Sequence, residues 1–138
     1  MKKIILIASA FVFGSIAAMA QQKVDDVIKL NTEKHDFGKV KQAIPVTYYF
    51  EITNISDKPV VVENASASCG CTVPEKPTQP ILPGKTDKLK VVYNAAAVGP
   101  INKDIYIKLA GIDQPKTVHI TGEVLTPEAF DALPKSNN

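Results

Sequence analysis

The sequence predicts an all-β protein, two packed antiparallel sheets in an immunoglobulin-like sandwich of about seven short strands. Three observations carry that expectation. Apolar and polar residues alternate with a period of two, most strictly from Val46 to Asn54. Glycine and proline break the chain at short intervals. No segment holds a helical apolar period for long.

The first residues stand apart from that pattern. Lys2 and Lys3 precede an apolar run, Ile4 to Phe13, loosened by Gly14 and Ser15. Ala18-Met19-Ala20 then gives the small-x-small spacing that export peptidases cut, which makes Gln21 the first mature residue. Residues 1–20 are therefore expected to be a removable signal peptide, and the mature chain to be periplasmic or secreted. The run is too short for a comfortable membrane span, and no later segment is apolar enough for one. No cysteine lies beside the cleavage point to take a lipid.

About 118 residues remain after cleavage, the size of one domain with a real core. The formal charge of +2 falls to zero when Lys2 and Lys3 leave. All the basic residues are lysine. Arginine is the usual tool for gripping phosphate and base edges, so its absence argues against nucleic acid. Both methionines, Met1 and Met19, leave with the signal, so the mature chain offers no thioether to copper.

Residues 21–33 are mostly polar, with Val24, Val27 and Ile28 as one short apolar face, and read as a linker or loosely docked arm. The sandwich is expected over 34–125. Its first strand falls near Lys34 to Val40, with Phe37 as anchor. The second is Val46 to Asn54, with Val46, Tyr48, Phe50 and Ile52 on one face. Asn54 to Pro59 is a turn of residues that bond their own backbone. Val60-Val61-Val62 opens the third strand. Pro74, Pro77 and Pro80 read as a loop that joins no ladder. Pro83-Gly84 turns into a strand with Leu89, Val91 and Tyr93 inward, and Gly99-Pro100 reads as the next break. Asp104 to Leu109 and Lys116 to Val124 complete the set. Residues 126–138 form a tail with room for one helical turn before Pro134. Lys88, Lys90 and Lys108 read as guards on strand edges against uncontrolled pairing.

The chain's two cysteines, Cys69 and Cys71, stand one residue apart between strands. Outside the cytoplasm such a pair tends to be oxidised. The loop closed is tiny, so the bridge removes little unfolded-state entropy. Gly70 is the candidate hinge that lets the sulfurs meet. Three readings stay open: a structural or incidental pair, a strained and easily reduced redox dithiol, or half of a soft-metal site. The metal reading lacks partners. His35 and His119 fall in the first and last strands, and nothing in the sequence brings them to the sulfurs. No metal-ligand set and no cofactor is assigned.

There is no Gly-x-Ser-x-Gly elbow, no His-Glu-x-x-His and no glycine-rich phosphate loop. Asp25-Asp26 lies in the lead-in, where a carboxylate pair is solvated. No catalytic residue is assigned, and the chain is not expected to be an enzyme.

An ordered set of residues resembles a known family. It comprises Phe50, Asn54, Asp57-Lys58-Pro59, Ser68 to Thr72, Pro74, Pro80-Ile81 and Pro83-Gly84, continued by Tyr93, Gly99 and Asn102-Lys103. The set is similar to the domain-of-unknown-function 1573 family of secreted bacterial domains, from about Phe37-Gly38 to Gly122-Glu123-Val124. After Leu109 many such domains carry Ser-Asn, where this chain has Ala110-Gly111. The resemblance implies a PapD-like sandwich in the cell envelope and no particular activity. The expected function is a non-catalytic module that binds a protein or envelope component. Thiol redox or soft-metal binding at Cys69 and Cys71 is the alternative.

Overall fold

The computed structural model describes residues 21–135. The expected signal peptide, with Ala18 and Ala20 of its expected cleavage site, lies outside the described residues, as does the end of the tail.

Eight strands form two four-stranded sheets. They are β1 (Ile28–Leu30), β2 (Lys34–Lys41), β3 (Val46–Asn54), β4 (Val62–Ala67), β5 (Thr72–Glu75), β6 (Thr86–Tyr93), β7 (Gly99–Leu109) and β8 (Lys116–Leu125). One sheet has the order β1-β3-β6-β5 and the other β2-β8-β7-β4. A short 3-10 turn, Val24–Asp26, precedes β1, and a five-residue helix, α1 (Pro127–Asp131), follows β8. The Thr126 hydroxyl caps that helix by accepting the Ala129 amide at 3.2 Å.

The core is the inward set of each alternation. Phe50 and Ile52 of β3 and Leu89 and Val91 of β6 are fully buried. They face Ile105 and Ile107 of β7 and Val118, Ile120 and Val124 of β8, which are equally inaccessible. Each such side chain contributes about 1.5–3 kcal/mol of burial free energy.

Five expectations need correction. The segment 21–33 is not a loose arm: Val24, Val27 and Ile28 join the core, and β1 pairs with the end of β3. A short apolar triplet lacks the length to announce a strand, but an existing neighbour supplies the pairing. The sheets are not wholly antiparallel, because β2 runs parallel to β8, Lys34 opposite His119 through Lys41 opposite Leu125. Pro74 does join a ladder, as part of β5. That strand is an edge, where alternate amides bond nothing and a missing N–H is tolerated. Pro100 lies inside β7 for a related reason. The pairing of β4 with β7 stops at Ile105, so near Pro100 β7 has only β8 beside it. The lysine guards also fall elsewhere, since Lys88, Lys90 and Lys108 sit on the inner strands β6 and β7.

The sandwich has two distinct ends. At one, Gln21 Nε2 donates to Asp113, and the Ile55 amide donates to the Val27 carbonyl. At the other, the turns after β2 and β6 meet. Ala43 and Ala95 both take left-handed backbone there (φ 64° and 52°), and the Ala43 amide donates to the Ala95 carbonyl at 2.8 Å.

Candidate functional site

One of the chain's crossings between the sheets runs through the Cys69-Gly70-Cys71 turn, from edge strand β4 to edge strand β5. Both sides of the crossing are anchored. The Ser68 amide donates to the Asp104 carbonyl of β7 at 2.9 Å, and the Asn94 amide donates to the Cys71 carbonyl at 3.0 Å. Cys69 and Cys71 are joined as a disulfide, with Cα atoms 5.3 Å apart. Both residues are half-buried, and Gly70 between them is exposed. Cys71 packs against the hydrophobic core.

Gly70, the candidate hinge, does not use left-handed backbone. It is absent from the positive-φ residues, and an added Cβ would meet nothing within 4 Å. The Ser68 and Asn94 hydrogen bonds hold the two ends of the bend.

Thr72 lies directly beneath the bridge and is one of two buried polar side chains among the described residues, the other being Asn54. Its hydroxyl is 3.7 Å from the Cys69 sulfur and 3.9 Å from the Cys71 sulfur. A disulfide sulfur has no hydrogen, so the threonine donates. In the sequence Thr72 is visible as part of a motif, but its role depends on which way β5 faces.

The remaining candidates are dispersed. His35 and His119 lie on paired strands, but His35 stands opposite Ile120 and His119 opposite Lys34. His35 stacks on Tyr48 of the facing sheet, while His119 is exposed, its Nδ1 2.5 Å from Asp104 Oδ1. Ser68 Oγ accepts the Asp104 amide at 3.1 Å. Serine, aspartate and histidine are thus neighbours, with no serine–histidine hydrogen bond among the described residues. Asp25 is an exposed partner of Lys116. Lys116 also binds Glu33, and these two hydrogen bonds, Asp25's first, hold the ammonium pKa above its ordinary value. Among the described residues no group of three or more His, Cys, Asp or Glu gathers around a point. No helix among them is long and apolar enough to cross a membrane.

Asn54 accounts for much of the residue set behind the family resemblance. Its Nδ2 donates to the Lys58 carbonyl, and its Oδ1 accepts the Ser56 amide and hydroxyl. Its own carbonyl accepts the Gly84 amide at 2.9 Å. Asn54, the Asp57-Lys58-Pro59 turn, Ile81 and Pro83-Gly84 therefore form one polar knot at the end away from the disulfide.

Fold and site together define an immunoglobulin-like, PapD-like β-sandwich with a disulfide in an inter-sheet turn. Residues 28–124 match the family described as a protein of unknown function (DUF1573), and the chain belongs to that family. A search of curated proteins finds no match. Among solved structures, the chain is similar to a protein of unknown function from Porphyromonas gingivalis W83. The TM-score is 0.62 at 17% identity, over 70% of this chain and 46% of that one. It is also similar to the ASH/PapD-like domain of human CEP192, with TM-score 0.57 at 7% identity, over 73% and 87% of the two chains. The SrpA adhesin of Streptococcus sanguinis follows, with TM-score 0.52 at 10% identity, over 81% and 62%. The chain thus spans under half the length of the Porphyromonas protein. At these identities the shared property is the fold.

Proposed function

We propose that the chain is a non-catalytic, exported module that binds another protein or envelope component by accepting an extended segment along β4. The open edge of β4 carries this reading. Natural sheets guard their edges with lysine, proline, bulges or shortness. Here β1 has three residues. β2 carries Lys34, Lys39 and Lys41 and a register shift between Asp36 and Lys39. β5 has four residues, including Pro74. β4 has six residues, with neither lysine nor proline and Glu63 as its one charge, and its own register shift, between Val62 and Asn64, falls at its start and leaves Ala65 to Ala67 in regular pairing.

The free backbone of β4 can be assigned. The Ser68 amide points at β7, so strict alternation turns the amides of Ala65 and Ala67 outward. Strand addition would use those groups for affinity and alternate side-chain positions for specificity. Export rests on Lys2, Lys3, the apolar run and Ala18-Met19-Ala20, and places the work in the periplasm or outside the cell. The Ser68 to Thr72 motif is read as the family's mark.

A photo-crosslinking residue at the exposed Ser66 tests this in cells that export the protein. A discrete protein adduct is expected, and Ala67→Pro should abolish it while leaving the circular dichroism intact. No adduct, or one indifferent to Ala67→Pro, would overturn the proposal.

A second reading, thiol redox chemistry, is supported by the Thr72 hydroxyl beneath both sulfurs. Soft-metal binding has less support, since sulfurs bonded to each other present no thiolate.

A further inference from the structure

We infer that Cys69–Cys71 is a thiol–disulfide exchange site in which a partner dithiol attacks Cys69, Cys71 is the leaving sulfur, and Thr72 stabilises the thiolate it becomes. The inference rests on the thiol-redox reading and gives the two sulfurs unequal roles.

The first support is asymmetry. Cys71 packs against the core, whereas Cys69 is not part of that packing. Attack falls on the sulfur an incoming thiolate can reach in line with the bond. The exposed Gly70, with open space around it, leaves room for that approach.

The second is the use made of Thr72. Buried hydroxyls usually pair with a backbone carbonyl. The hydroxyl of Thr72 meets the two sulfurs instead. A disulfide sulfur is a weak acceptor, and a thiolate is a strong one. The interaction therefore strengthens as the bridge opens, favouring the charged form and improving the leaving group.

The third is that the fold does not depend on the bridge. Ser68 is held to β7, and Thr72 pairs with Tyr93 of β6, whichever state the sulfurs are in. A loop of three residues adds little constraint to the unfolded chain.

The step balances as follows. One partner thiol loses its proton, and its thiolate forms a bond to Cys69 Sγ. The Cys69–Cys71 bond breaks, and its electron pair leaves on Cys71. The second partner thiol, also deprotonated, attacks its own chain's sulfur in the mixed disulfide and expels Cys69 as a thiolate. Cys69 and Cys71 then take two protons, matching those the partner released. The partner dithiol becomes a disulfide, and this disulfide becomes two thiols.

The test uses the mature chain equilibrated with reduced and oxidised dithiothreitol, read by alkylation and mass. The bridge should open reversibly with the circular dichroism spectrum unchanged. The lone Cys69 in Cys71→Ser should react with an aromatic disulfide reagent about tenfold faster than the lone Cys71 in Cys69→Ser. In the Cys69→Ser background, Thr72→Val should raise the Cys71 thiol pKa by about one unit, read from thiolate absorbance, and Thr72→Ser should restore it. A bridge that resists dithiothreitol in the folded protein would overturn the redox reading itself. Opening without a Cys69 preference, or without a Thr72 effect, would overturn only the assignment of roles.

Discussion

A Cβ on Gly122 would sit 2.9 Å from the carbonyl oxygen of Gly38. These glycines meet where β2 shifts register against β8, and Gly122 has φ 150°. The Ile101 side chain stands 3.2 Å from the same point. Gly122→Ala must push backbone as well as side chain, and should lower stability by about 2–4 kcal/mol in urea unfolding. A loss under half a unit would show that the two strands part easily.

Gly70→Ala should behave oppositely. Nothing lies within 4 Å of the new methyl, and the backbone is not left-handed. Melting temperature and disulfide content should match the parent. A reduced or misfolded product would restore the hinge role that the sequence suggested for Gly70.

Asn54 Nδ2 donates to the Ile81 carbonyl at 2.7 Å, inside the core. Asn54→Ala removes one hydrogen bond from the Ile81 carbonyl, which keeps the Val60 amide, and one from the Lys58 carbonyl, which keeps the Ser56 hydroxyl, and it takes the acceptor from the Ser56 amide. The expected cost is about 2–4 kcal/mol. Asn54→Asp should not rescue it, because a carboxylate would face two carbonyl oxygens. Denaturant midpoints of the two variants decide the matter.

His35 gives the protein a pH dependence of known sign. It stacks on Tyr48 with ring centroids 3.6 Å apart, and Phe37 meets its edge at 4.7 Å. Burial lowers its pKa below the ordinary 6.5, and Asp36 opposes this only in part. Below 6.5 the unfolded chain therefore takes up the proton more readily than the folded one. Stability is present above that value and is lost as pH falls through the lowered folded value. Melting temperature should drop from about pH 7.5 to about pH 5.5, and His35→Phe should flatten the drop. The Asp104–His119 pair is common to both proteins and cancels in the difference. An unchanged slope in the variant would exclude His35 as the source.

Lys116 is mostly buried and donates to Asp25 at 2.6 Å and to Glu33. It ties the 3-10 turn and the β1–β2 connection to β8. Both carboxylates are exposed, so Lys116→Met should cost only about 1–2 kcal/mol. Amide exchange should quicken first around residues 24–33, ahead of the core strands. Uniform quickening would show that this segment opens only with the whole fold.

The inner strands were legible because their alternation is complete: Phe50, Ile52, Leu89, Val91, Val118 and Ile120 all point inward as their spacing requires. The edges were not. Pro74 and Pro100 escape a proline rule that holds only in the middle of a sheet, and only strand order reveals where the middle ends. β1 carries too few residues to show a period. The site was half legible. Two cysteines one residue apart marked the place, but Thr72's hydroxyl meets the sulfurs only because β5 presents that residue to the interior. The open side of β4 depends wholly on topology, since Val62–Ala67 looks unremarkable in sequence.

The parallel union of β2 with β8 has a mechanical consequence. Gln21 lies at one end of the sandwich, and β8 runs out at the other beside Gln42. Tension applied between those ends would first strip the three residues of β1 and then drag β2 along β8. The rungs between them would be loaded together in shear, where an antiparallel pair pulled from one end would unzip rung by rung. The domain is wired as a tie, whose two ends resist being pulled apart.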